Sequence, residues 1–136
     1  MDLRTLYRYG LLAVLAISGI GLSLFGGTSS SEFLEVHFLD VGQGDAVLVQ
    51  TPDGFEVLID GGATSQVIRQ LSTEQSWNDR LIDVVIATHP DTDHVGGLVD
   101  VLDRFTVDLI VQTETDSDSP AATAFESAVS NEGADV

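Results

Sequence analysis

The chain contains no cysteine and no lysine, and only three prolines and one tryptophan in 136 residues. Without cysteine there is no disulfide and no lipid-modified cysteine behind an N-terminal leader. Basic side chains are equally scarce: five arginines, at positions 4, 8, 69, 80 and 104, stand against 22 aspartates and glutamates, for a formal charge of −17. The three later arginines are scattered, which excludes a basic patch of the kind that grips nucleic-acid phosphates. The acids are not gathered into a tail. They run through the chain from Glu32 onward and so describe an acidic surface. Self-repulsion on this scale is tolerated where salt screens it, because the Debye length falls to about 3 Å at 1 M. The composition therefore points to a halophilic source, with an acidic secreted protein as the plainer reading. No internal repeat is visible. The length fits one domain, and a hydrophobic share of 43% is enough for a core.

The one long apolar run lies at the N-terminus. Arg4 and Arg8 precede the stretch from Leu11 to Phe25, and no charge occurs between Tyr9 and Ser31. Its length falls between a secretory signal and the roughly 17–20 residues that span a bilayer. No clean Ala-x-Ala site follows, which favours an uncleaved anchor over a cleaved signal peptide. Arginines before the run and none just after it put the N-terminus inside and the bulk of the chain outside. The expected organisation is a signal peptide or membrane anchor over 1–27, a linker over 28–31 and one domain over 32–136. That domain is expected at the extracellular face of the cell membrane or secreted.

From Glu32 the apolar period becomes two. Leu34, Val36 and Phe38 alternate with Glu35 and His37, predicting a strand whose apolar face is inward and whose His37 faces out. Val47 to Val49 is a second strand, and Phe55 to Ile59 returns after the turn Pro52-Asp53-Gly54. A helix is expected with Thr64 or Ser65 as N-cap, running through Val67, Ile68 and Leu71. Leu81 to Ala87 reads as a buried strand. Leu98, Val101, Leu102 and Phe105 keep helical spacing behind the pair Gly96-Gly97, Val107 to Val111 is another strand, and Ala121, Ala124, Phe125 and Val129 form a last helix behind Pro120. Strands and helices at this cadence predict an α/β layer arrangement.

At the mouth of the buried strand stand His89, Asp91, Asp93 and His94, two imidazoles and two carboxylates within six residues. Desolvating four ionisable groups there costs several kcal/mol per unpaired charge unless something compensates them. A metal ion would. Spacings of i, i+2, i+4 and i+5 in a strand-exit loop can serve two ions about 3.5–4 Å apart. A mixed nitrogen and oxygen donor set suits Zn, Mn or Fe better than Ca or Mg. An EF-hand loop beginning at Asp91 fails, because its fifth position is Val95 and its twelfth Leu102.

These residues carry a resemblance. Thr88-His89-Pro90-Asp91-Thr92-Asp93-His94-Val95-Gly96-Gly97 is similar to the His-x-His-x-Asp-His signature of the metallo-β-lactamase fold, with Asp91 in the place of the second His. Upstream, Phe38-Leu39-Asp40-Val41-Gly42-Gln43-Gly44-Asp45-Ala46 and Val57-Leu58-Ile59-Asp60-Gly61-Gly62 resemble the opening of the hydrolase domain of ComEC-type competence proteins. The resemblance extends from Glu32 to Phe105. It implies an α/β fold, the N-terminal half of an αββα sandwich, here preceded by one hydrophobic helix. It implies two divalent metal ions, Zn or Mn, held in the complete protein by His89, Asp91, Asp93 and His94 with further ligands from a second half. An aspartate in place of the usual His should favour Mn or Fe relative to Zn. Asp60 matches an acidic motif that orients the ligand loop without binding metal, and Asp40, Gln43 and Asp45 fall in a loop whose default reading is turn chemistry.

The function so implied is metal-dependent hydrolysis, with Asp93 helping to take the proton from the attacking water. The substrate class is a phosphodiester, DNA included, although a charge of −17 opposes a polyanion. The remaining family ligands have no counterpart here, so the chain reads as the N-terminal portion of a longer protein. The alternative is a membrane-anchored, non-catalytic metal-binding or truncated module. Oligomeric state is not legible.

Overall fold

The structure, a computed structural model, describes residues 32–76, 79–113, 115 and 117–136. The expected N-terminal hydrophobic helix and its linker lie outside the described residues. Among the described residues no helix is long and apolar enough to cross a membrane.

Five strands form one mixed sheet in sequence order: β1 (Glu35–Phe38), β2 (Val47–Gln50), β3 (Glu56–Ile59), β4 (Leu81–Ala87) and β5 (Thr106–Gln112). The first three are antiparallel, whereas β3, β4 and β5 are parallel. The switch follows from the connections. A short turn joins β2 to β3, while α1 (Gln66–Glu74) and α2 (Thr92–Arg104) carry the chain back between parallel neighbours. The turn is the predicted one: Gly54 has φ 88°, and Thr51 N–H donates to the Phe55 carbonyl at 2.9 Å.

A third helix, α3 (Pro120–Glu132), starts where Pro120 suggested, with Ser119 as N-cap accepting from the Ala122 N–H at 3.1 Å. Its buried face is Ala122, Phe125 and Val129, with Ala121 packed against the core and Ala124 exposed. Helix α1 packs on α2 and α2 on α3. The helices bury Val67, Leu71, Val95, Leu98, Val101 and Phe125 against Leu48, Leu58, Val85 and Ile110 of the sheet, in one core. Burying a side chain such as Leu58 or Leu98 fully contributes about 1.5–3 kcal/mol.

The register puts two apolar rows on the opposite side of the sheet. Val36, Val49, Val57, Val84 and Leu109 are successive cross-strand neighbours, as are Phe38, Val47, Ile59, Ile86 and Val111. None of these ten is buried, and Phe38 is 83% exposed. The apolar face of β1 therefore points away from the helices, contrary to expectation. His37, expected to face out, lies in the row of Leu48 on the helix-bearing side, where its Nδ1 is 3.0 Å from Glu74 of α1.

Candidate functional site

Three connections meet at one end of the sheet: residues 39–46 after β1, 60–65 after β3 and 88–91 after β4, the last running into the first turns of α2. Backbone hydrogen bonds tie them together. Gly62 N–H donates to the Asp45 carbonyl at 2.9 Å, Gly61 N–H to the His94 carbonyl at 2.8 Å, and Gly97 N–H to the Gly62 carbonyl at 2.8 Å. The approach is close enough to exclude side chains: a Cβ on residue 97 would stand 2.0 Å from the Gly61 carbonyl oxygen. That explains two glycines inside a helix, where each costs about 1 kcal/mol relative to alanine.

Helix α2 begins earlier than its apolar spacing indicated. It starts at Thr92, so Asp93 and His94 belong to its first turn, Asp91 is the N-cap residue, and only His89 remains in the strand-exit loop. The Gly96-Gly97 pair lies within the helix instead of opening it. A carboxylate such as Asp93 is favoured in a first helical turn by the unpaired N–H groups there.

Asp60 is the anchor. It follows β3 with φ 59°, in the left-handed region that aspartate tolerates better than most residues, and it is 3% exposed. Its Oδ1 accepts the Thr88 N–H at 2.9 Å, and its Oδ2 accepts the Thr88 hydroxyl at 2.7 Å and His94 Nδ1–H at 2.8 Å. Three donors compensate the burial of a carboxylate, which would otherwise cost several kcal/mol. Asp60, expected to orient the ligand loop, is placed in contact with that loop through Thr88 and His94. Thr88 was not singled out by sequence reasoning; its position between a buried strand and His89 was the available signal.

The network assigns tautomers. His94 donates through Nδ1, which leaves Nε2 with its lone pair free. The single Thr88 hydroxyl hydrogen goes to Asp60, so at 3.0 Å from His89 Nδ1 the hydroxyl oxygen accepts, and in the neutral ring Nε2 is the nitrogen that keeps its lone pair. That Nε2 stands 3.5 Å from Asp91 Oδ2, two lone-pair bearers with room for a cation between them. The rings of His89 and His94 lie 3.7 Å apart between centroids, tilted by 44°. His94 Nδ1 held by a carboxylate, with Nε2 free, is the arrangement that prepares an imidazole for a metal.

The four predicted ligands thus share one end of the fold, and their donor chemistry fits a divalent transition metal. Convergence stops at pairs: among the described residues no three His, Asp or Glu side chains surround a common point at metal-binding geometry. The loop of Asp40, Gln43 and Asp45 serves as turn and packing: Asp40 Oδ1 accepts Gly42 N–H at 3.3 Å, and the Gln43 and Asp45 carbonyls accept from the 60–65 connection.

The family model described as the Metallo-beta-lactamase superfamily matches residues 39–132. Among solved structures, Rm3 metallo-beta-lactamase aligns with a TM-score of 0.46 and 25% identity, over 57% of this chain and 29% of that one. The chain thus matches less than a third of that structure's length. No curated protein matches the chain.

Proposed function

The chain belongs to the metallo-beta-lactamase superfamily, and from that premise we propose that it supplies part of a metal-dependent hydrolase centre acting on phosphodiester bonds. Membership carries the general activity, metal-dependent hydrolysis. The finer reading rests on the residues. His89 and His94, each with a bare Nε2, together with Asp91 and Asp93, would hold divalent ions, Zn or Mn. Such ions supply polarisation of the attacked oxygen and a water made acidic enough to attack at neutral pH. Asp60 and Thr88 fix the imidazole tautomers, and Asp93 is the candidate to accept the attacking water's proton. In this reading a two-ion centre would take further ligands from outside the described residues, whose donors meet only in pairs.

The single observation that carries this reading is the Asp60–His94 hydrogen bond, because besides compensating the buried carboxylate it makes Nδ1 the donor and so leaves Nε2 as the His94 nitrogen available to a metal. The phosphodiester and competence-related substrate is supported by the resemblance of the 38–46 and 57–62 motifs, and the membrane-anchored, extracellular setting by Arg4, Arg8 and the apolar run behind them. The test is zinc and manganese titration of the intact protein, followed by hydrolysis of bis(p-nitrophenyl) phosphate. Stoichiometric metal binding lost in His94→Ala, with hydrolysis abolished by chelation, supports the reading. Absence of metal binding overturns it.

One observation favours a second reading. With no three donors converging among the described residues, the cluster also suits a non-catalytic module holding one ion. Tight metal binding without turnover of any ester would select it.

A further inference from the structure

A cavity of about 270 Å³ opens beside His89, at the carboxyl ends of β4 and β5 and against α3. Ligands of open α/β sheets collect at this edge, where strand ends leave a crevice. Its lining divides by chemistry. Ala87 and Phe125, 4% and 3% exposed, form an apolar floor together with Pro90. His89, Gln112, Thr113, Thr115 and Glu126 supply polar groups at the rim, Gln112 being the register partner of Ala87.

We infer that this cavity is a binding site for one uncharged planar ring with a donor–acceptor edge, the chemistry of a nucleobase, seated beside His89. Three properties of the lining select that class. The volume lies just below the roughly 300–1,000 Å³ of sites for drug-sized ligands, so it takes a single ring system. The lining contains a carboxylate, Glu126, and no arginine, so an anion is disfavoured. The Gln112 amide offers both donor and acceptor, the pairing that reads a base edge, and the apolar floor suits a ring face. A chain of charge −17 does not recruit a polyanion through its phosphates. A ring pocket supplies affinity that does not depend on them. The inference deepens the phosphodiester reading and takes its purpose from it: the ring would be the base flanking the cleaved phosphate.

Binding needs no metal, which separates this test from that of the hydrolase. The 15N-labelled full chain in EDTA is titrated with thymidine, benzyl alcohol, sodium benzoate and inorganic phosphate. Saturable amide shifts at Gln112, Phe125 and Glu126 are expected with thymidine and with none of the other three. Gln112→Ala should weaken thymidine about tenfold, the scale of one lost side chain–base pairing. Glu126→Arg, on the exposed side of α3, should admit benzoate. Equal binding of benzyl alcohol, saturation of the unsubstituted chain by benzoate, indifference to Gln112→Ala, or no saturation by thymidine would each overturn the inference. If thymidine binds and metal-dependent hydrolysis is absent, the pocket stands and the hydrolase reading falls.

Discussion

Gly44 lies directly against the backbone of Asp93: a Cβ on residue 44 would sit 1.7 Å from the Asp93 carbonyl oxygen. The loop after β1 is therefore packed onto the first turn of α2, where two of the candidate metal donors reside. Gly54 has nearly the same φ, 88° against 90°, yet a Cβ there would meet nothing within 4 Å. The pair separates backbone strain from collision. Gly54→Ala should cost about 1 kcal/mol, the strain alone, whereas Gly44→Ala should cost at least about 2–3 kcal/mol and shift the Asp93 and His94 amide resonances. Urea unfolding of both variants checks this; equal costs would show that the Asp93 contact is easily relaxed.

Removing the buried carboxylate that holds His94 should act on metal before it acts on fold. Asp60→Asn keeps a residue type that accepts positive φ and can still bond Thr88, but it no longer compels His94 to protonate Nδ1. Metal affinity is expected to fall about 10–100-fold. Imidazole 15N shifts of the metal-free protein should report Nδ1–H at His94 in the native chain and a mixture in the variant. A native Nε2–H tautomer contradicts the assignment.

Thr88→Val tests the hydroxyl that links Asp60 to His89. It removes one donor from the buried carboxylate and the acceptor that fixes His89, and should destabilise by about 1–3 kcal/mol. Thr88→Ser should restore most of the loss, since the hydroxyl, not the methyl, makes both contacts. If Val and Ser variants unfold at the same urea concentration, the hydroxyl is energetically idle.

Glu56 gives a pH dependence whose sign can be worked out. Its carboxyl is buried on the helix side of β3, which raises its pKa above the ordinary carboxylate value, although hydrogen bonds from Gln50 and Gln75 partly oppose the shift. Between the unfolded and the raised native pKa the folded protein holds more protons than the unfolded one, so stability falls as pH rises through that window. Below it the group contributes no pH dependence; above it the cost of burying the charge is present in full. Glu56→Gln should flatten this limb, so the difference between the urea midpoints of variant and native chain should grow in the variant's favour from about pH 4 toward neutrality. A constant difference would show that burial does not act on this group.

The acidic surface makes stability a function of salt. With a formal charge of −17, raising NaCl from about 0.1 to 1 M shortens the Debye length from about 10 to 3 Å and should raise the melting temperature by several degrees. An unchanged or lower melting temperature would remove the halophilic reading.

The fold was legible where periodicity was strong. The run Leu81–Ala87 forms the expected strand and the Pro52-Asp53-Gly54 turn forms as its residues indicate, because turn chemistry acts locally, but of that strand only Ile82, Val85 and Ala87 are buried. The start of α2 was hidden: its first turn is made of polar ligand-type residues, so the apolar spacing that marks a helix begins only at Val95 and Leu98. The direction of β1 was misread for a related reason. Alternation tells which residues share a face but not which face the helices cover, and here His37 with Glu35 lies on the covered side. Within the site, the clustering of His89, Asp91, Asp93 and His94 could be read from spacing. The anchoring by Thr88 and the Gly44–Asp93 contact could not, since both depend on segments brought together from distant parts of the chain.

The two apolar rows running from β1 to β5 give the molecule two unlike surfaces, and added electrolyte pulls on them in opposite directions. Screening relieves the carboxylates, while strongly salting-out ions such as sulfate tighten the tendency of the valine and isoleucine rows to leave water. Solubility should therefore climb and then drop along a sulfate series, with the turning point set by whichever surface dominates, and a lysine in place of Val57 at the centre of the sheet should push that point to higher concentration.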